Sequence, residues 1–170
     1  KLQISFYMGE FDHVNQEIEK MVQEVSKDHW AYNDILEIYS VILAFNKDMD
    51  GLKLFSRAQH KIKQSKKYEA IEILESMFDR ENVFVSDFAK YHCAYLYKEL
   101  NDFPKTVDVI EMTSGETVYS EMSVILYAEI HDYIINDDNE AVTGYLELLD
   151  SYPSSIYYEE IRSRLREIVG

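Results

Sequence analysis

The sequence predicts an all-α protein, a stack of antiparallel helix pairs closed by one C-terminal helix. Three observations carry that expectation. Prolines and glycines are scarce, two and five in 170 residues, whereas all-β folds spend both on their turns. Helix-length segments carry apolar residues at i, i+4 and i+7 or i+8, as in Ala70, Leu74, Phe78 and in Phe103, Val107, Ile110. Small residues mark a register: Ala58 precedes Ala70 by 12, Ala94 precedes Thr106 by 12, and Ala128 precedes Ala141 by 13.

The repeated segments are "LFSRAQHKIKQSKKYEAIEILESMF" (54–78), "DFAKYHCAYLYKELNDFPKTVDVIEM" (87–112) and "SVILYAEIHDYIINDDNEAVTGYLELL" (123–149). Each has a helix with a small residue inside, a short polar break, and a second helix opening with a small residue. The first-helix alanines are spaced 36 and then 34, the period of a two-helix repeat of about 34 residues. Two helices joined by a tight turn approach closely beside it, and a small side chain on each lets their ridges interlock. The expected repeats are 50–84, 85–118 and 119–153.

Residues 1–49 are less regular. "SFYMGEFDHVNQEIEKMVQEV" resembles the tail of a first helix, a Gly-Glu-Phe turn and a second helix. "NDILEIYSVILAFNK" predicts another helix with Asn33 or Asp34 as N-cap. Val14 to Ala70 is 56, not a multiple of the period, so either an extra helix or a degenerate repeat lies between. The chain opens at Lys1 inside a helical pattern, which suggests a piece of a longer protein, and a signal or anchor is compatible with the missing part.

The closing stretch, "GYLELLDSYPSSIYYEEIRSRLREIVG" (144–170), predicts a capping helix over 154–170. Pro153 stops the preceding helix because it cannot extend the hydrogen-bond ladder. Ser154 or Ser155 is the expected N-cap. Glu159 and Glu160 then lie near the positive end, and Arg162, Arg164 and Arg166 toward the negative end. Tyr157, Ile161, Leu165 and Ile168 form one apolar stripe, with a charged face opposite, as a terminal unit requires.

The totals exclude some classes. Hydrophobic residues make up 46% and charged residues 29%, which is globular rather than disordered composition. The net charge of −15 argues against nucleic acid, whose phosphates need lysine and arginine, and against an anionic membrane surface. The single cysteine, Cys93, excludes an internal disulfide. No apolar run approaches the roughly 20 residues that span a bilayer, and no signal-peptide pattern is read.

On these residues the chain resembles the tetratricopeptide-repeat family. "KKYEAIEIL" and "NDFPKTVDVI" resemble that family's turn and second helix. "LLDSYPSSIYYEEIRSRLREI" is similar to the ends of bacterial envelope members, the outer-membrane assembly lipoproteins and the Tol-Pal-associated coordinators. The resemblance covers about residues 50–170. Thr106 stands where alanine is usual, and Lys66-Lys67 and Asn101-Asp102 replace the usual Gly-Asp turn. Ile161 also replaces an alanine of the envelope members. The resemblance implies a right-handed α-solenoid whose first helices line a concave groove, which binds proteins or peptides and rarely catalyses. It also leans toward a bacterial periplasm or cell envelope.

If Ala58, Ala94 and Ala128 are equivalent, Gln59, Tyr91, Tyr95, Lys98, Glu129 and Asp132 face that groove. Tyrosine suits contact, offering apolar area and a hydroxyl at little entropic cost. Among 14 tyrosines, the other reading is packing between neighbouring helices. The basic run "RAQHKIKQSKK" (57–67) is a docking patch for an acidic segment or, as favoured here, a solvated helix end. His92 and Cys93 are adjacent, so on a helix they point about 100° apart and cannot easily share a proton. None of the five histidines has metal-site spacing. "NDDNE" (136–140) lacks the ligand pattern of a calcium loop and reads as a turn.

The expected function is therefore a non-catalytic scaffold that binds a protein or peptide partner along its concave face, with no cofactor, metal, nucleic acid or membrane insertion. The alternative is a structural spacer or oligomerisation segment, with homodimerisation through an open end.

Overall fold

The computed structural model describes residues 2–24, 32–45, 48–115 and 117–170. It is all-helical, with no strand among the described residues. The chain divides into two compact units, 1–85 and 86–170.

The first unit holds α1 (Leu2–Tyr7), α2 (Phe11–Glu24), α3 (Tyr32–Ala44), α4 (Met49–Lys63) and α5 (Lys67–Glu75). α1 packs on α2 and α4, α2 on α3, and α4 on α5. Their shared core is aromatic. Phe6 meets Phe11 at 5.6 Å and Phe55 at 6.2 Å between ring centroids, and Phe45 stacks on Phe55 at 5.7 Å. Such offset and edge contacts add to the burial of large apolar area. Ser56 Oγ donates to the Phe6 carbonyl at 2.6 Å, tying α4 to α1. Asp48 caps α4 by accepting the Gly51 N–H at 2.9 Å, and its carboxylate also takes Arg80 at 2.8 Å. The interval between Val14 and Ala70 contains α3, a further helix between α2 and the α4–α5 pair. Asn33 and Asp34, expected as caps, stand inside α3, and their side chains lie outside the described residues.

The second unit holds most of α6 (Val83–Glu99), then α7 (Phe103–Ile110), α8 (Val118–Ile130), α9 (Asp138–Ser151) and α10 (Tyr158–Val169). α8 packs on α7 and α9, and α9 on α10. Ala128, Ala141, Tyr145, Leu148, Ile161 and Leu165 form one buried cluster, with Leu149 and Ile168 against it. The apolar stripe expected on the closing helix is thus realised from Ile161 onward, while Tyr157 is 42% exposed. α10 starts later than expected. Ser155 Oγ accepts the Tyr157 N–H at 3.1 Å and closes a turn, so the helix begins at Tyr158 without a side-chain cap.

Four corners share one construction. A residue in the left-handed region ends the first helix: Gly9 (φ 78°), Ser65 (60°), Asn101 (60°) and Asn136 (59°). Glycine and asparagine tolerate that region best. The next N–H reaches back to a carbonyl five residues earlier at Glu10→Ser5 (3.0 Å), Lys66→Lys61 (2.9 Å) and Asp102→Tyr97 (2.9 Å). This bond satisfies a helix-end carbonyl. Asp102 and Asp137 then cap α7 and α9 with their carboxylates. The residue five beyond each left-handed position is Val14, Ala70, Thr106 or Ala141, and all four are fully buried.

The last corner carries one extra residue. A single turn of π-helix, His131–Ile135, joins α8 to Asn136, and Asp137 N–H reaches six residues back, to His131, at 2.8 Å. That turn absorbs the additional residue between Ala128 and Ala141 and leaves the corner itself unchanged. Thr106 fits where Ala70 and Ala141 stand in the neighbouring corners because its hydroxyl donates to the Asp102 carbonyl at 2.9 Å.

Candidate functional site

The second unit contains a hollow of about 240 Å³. Its wall comes from alternate helices: Tyr91, Tyr95 and Lys98 from α6, Met122, Ile125, Leu126 and Glu129 from α8, and Glu160, Ile161 and Arg164 from α10. Tyr133 of the π-turn, Tyr145 of α9 and Tyr157 before α10 complete it. Four of the six residues expected to face a groove, Tyr91, Tyr95, Lys98 and Glu129, therefore meet here. Period alone brings the α6 pair together, because residues four apart share a helix face. Tyr91 and Tyr95 stand 6.5 Å apart between ring centroids.

The chemistry is mixed. The floor is apolar, from Met122, Ile125, Leu126 and Ile161. Tyr95 and Tyr133 are 43% and 61% exposed. Lys98 Nζ lies 5.5 Å from the Tyr95 ring centroid, and the Arg164 guanidinium 5.2 Å from that of Tyr133, both within cation–π range. Burial, with smaller contributions from Tyr95, Glu129 and Tyr157, pushes the Tyr91 phenol up from its ordinary value. Among the described residues, neither Glu129 nor Glu160 has a hydrogen-bond or ion-pair partner.

Asp132 does not line the hollow. It is buried behind the rim, where Arg164 grips it with Nε at 2.8 Å and Nη2 at 2.6 Å. Tyr145 donates its hydroxyl to the same carboxylate at 2.8 Å. The Arg164 bonds hold the Asp132 carboxyl below its usual range, and burial followed by the Asp132 bond raises the Tyr145 phenol. Forked, charge-assisted bonds of this kind fix direction as well as distance. The wide turn at 131–135 thus connects Asp132 to α9 and α10, and so positions Arg164 and Tyr133 at the rim.

A second buried carboxylate holds the opposite end of α8. Asp87 of α6 accepts Ser114 N–H (3.0 Å), Thr117 Oγ1 (2.9 Å) and Ser120 Oγ (2.8 Å), besides the Ser114 hydroxyl. Burial would raise its pKa, but these bonds more than reverse that and hold it below the carboxylate range. Thr117 and Ser120 also form a capping box for α8. The sequence reading missed this clamp. Its signal is the cluster of hydroxyl residues in the link before α8.

Gln59 belongs to the first unit. There it lines a separate hollow with Phe6, Tyr7, Ile38, Val41 and Lys63. The basic run ends the α4 helix, with Lys61 and Lys66 both paired to Glu69. His92 packs against Phe88 and Tyr119, at 4.3 and 6.0 Å between centroids, and burial pushes its pKa down to about 4. Cys93 is fully buried. Residues 136–140 form the α8–α9 corner, where Asp137 accepts the Asn139 and Glu140 N–H groups at 3.1 and 3.2 Å. Among the described residues, no helix is long and apolar enough to cross a membrane, and no group of histidine, cysteine or acidic side chains is placed to hold a metal. No family model matches the chain, and neither a curated protein nor a solved structure is significantly similar to it.

Proposed function

We propose that this chain is a non-catalytic protein-interaction module of tetratricopeptide-like design, a right-handed stack of antiparallel helix pairs. It takes a short extended segment of a partner protein in the hollow of α6, α8 and α10. The carrying observation is the convergence of Tyr91, Tyr95, Lys98 and Glu129 on one apolar-floored hollow. Three helices that alternate in the chain supply most of its lining, as the concave face of a repeat array requires. At about 240 Å³ it falls below the roughly 300–1,000 Å³ of ordinary small-molecule pockets, and it suits one or two side chains of a peptide. Exposed tyrosines are frequent contact residues at such sites.

Selection from a random peptide display library tests this reading. Wild type is compared with a Tyr91→Ala, Tyr95→Ala double variant whose helix content is verified by circular dichroism. Enrichment of related peptides by the wild type and its loss in the folded variant is the expected result. No enrichment, or equal enrichment by both, overturns the reading and favours the structural-spacer alternative.

A further inference from the structure

We infer that the hollow on α6, α8 and α10 receives a basic side chain, the arginine or lysine of a peptide whose neighbouring residues are apolar. This inference rests on the proposed peptide-binding function and names the partner chemistry of the same site. The charges at the hollow differ in how far they are already satisfied. Arg164 is engaged by Asp132 at 2.6 Å and by Glu167 at 2.9 Å. Its positive charge is neutralised before any ligand arrives. Lys98 rests over Tyr95. Glu129 and Glu160 face the same hollow, and among the described residues neither has a partner. The unsatisfied charge is therefore two carboxylates against one ammonium, inside a chain of net −15.

That balance attracts a cation from a distance and holds it on arrival. The tyrosines extend the same preference. Their ring faces are electron-rich and attract ammonium and guanidinium groups. Two of the five lining tyrosines already hold a cation of this chain, Tyr95 and Tyr133. Tyr91 and Tyr157 carry no such contact among the described residues. A basic side chain entering the hollow would find Glu129 and Glu160 for its head. The aliphatic stem would lie along Met122, Ile125 and Ile161, as long cationic side chains do on apolar surface. Glu129 also contributes, after burial and Tyr95, to the upward push on the Tyr91 phenol.

The test is isothermal titration with three synthetic five-residue probes of Ala-Leu-X-Leu-Ala form, blocked at both ends. X is arginine, its neutral isostere citrulline, or glutamate. The arginine probe should bind at least tenfold more tightly than citrulline, and the glutamate probe most weakly. Glu129→Gln with Glu160→Gln should erase the arginine preference, whereas Lys98→Gln should sharpen it by removing the competing ammonium. Equal binding of arginine and citrulline probes, or preference for glutamate, overturns the cation inference. If those probes still lose affinity on Tyr91→Ala, Tyr95→Ala, the peptide-binding function survives that result. No binding of any probe, together with a failed display selection, overturns both.

Discussion

The corners that join α6 to α7 and α8 to α9 are built alike up to one residue. Asn101 and Asn136 both turn left-handed, Asp102 and Asp137 both cap the following helix, and Thr106 and Ala141 are both fully buried five residues on. The difference lies before the turn. Asn101 follows Ala94 by seven residues and Asn136 follows Ala128 by eight. At α6 the helix runs straight into its corner. At α8 the surplus widens one turn, and that turn carries Asp132 into the bonds with Tyr145 and Arg164. An insertion that would rotate everything after it is instead contained locally, and what it displaces becomes the support of the hollow's rim.

Removing the surplus should make the largest change. Deletion of Ile134, which is 38% exposed, gives α8–α9 the interval of α6–α7. It also removes the wide turn that brings Asp132 to its donors. Helix content should persist by circular dichroism. Stability in urea should fall by about 3 kcal/mol, the order expected when a buried carboxylate loses charged and hydroxyl donors together. The variant should also lose part of the acid sensitivity of the wild type. Asp132 is held ionised below the ordinary carboxylate pKa of about 4 by Arg164. Its contribution is complete above that value and disappears as pH falls through the lower folded value. Unchanged stability on deletion would mean that the π-turn merely accommodates a spare residue, and the contrast between the corners would carry no functional weight.

The same alignment contrasts a partly buried side chain with a fully packed one. Two residues before the register alanine, α6 has His92 and α8 has Leu126. The histidine is kept neutral by burial, with a pKa down at about 4, while the unfolded chain protonates near 6.5. Its folded pKa is depressed, so protons bind the unfolded state first as pH falls. Stability is intact above about 6.5 and is lost between there and 4, by about 2 kcal/mol at pH 5. His92→Leu should abolish that loss while leaving stability at pH 7 within about 1 kcal/mol. Urea unfolding of both proteins at pH 7 and 5 measures it. A wild-type His92 resonance that titrates near 6.5 would contradict the burial on which the contrast rests.

These contrasts also mark what was legible beforehand. Ala58, Ala94, Ala128 and their partners gave away the corners because close helix approach requires small side chains, a constraint carried by single residues. Tyr91, Tyr95, Lys98 and Glu129 followed from the helical period, since position along a helix determines face. Arg164, Tyr133 and Tyr157 were not legible as lining, because packing of α10 on α9 brings Arg164 and the adjoining Tyr157 to the hollow and the π-turn brings Tyr133. Asp132 was misplaced for a related reason. A period of 3.6 assigns it to the groove face, and the π-turn departs from that period. The interval of 13 instead of 12 was its trace in the sequence. Asp87 left a weaker one, since hydroxyl residues before a helix mark a cap without naming the distant carboxylate they also serve. Gln59 shared the period of the lining residues and lies in the other unit.

The smallest expected effect tests whether the corners are equivalent where they look different. Thr106 is the one non-alanine among the three positions that follow Ser65, Asn101 and Asn136 by five. Its hydroxyl donates to the Asp102 carbonyl at 2.9 Å, which already receives the Thr106 N–H at 3.0 Å. The hydroxyl therefore bonds within its own first turn and holds no neighbouring helix. Thr106→Ala loses burial of a methyl group worth roughly 0.8 kcal/mol and gains roughly 0.6 kcal/mol of helix propensity. The net change in urea unfolding should stay within about 0.5 kcal/mol. A loss above about 1.5 kcal/mol would show that the threonine methyl fills space that no alanine corner leaves open. The α6–α7 corner would then need its own packing rule, and the alignment that puts Tyr91 and Glu129 on one surface would lose one of its three anchors.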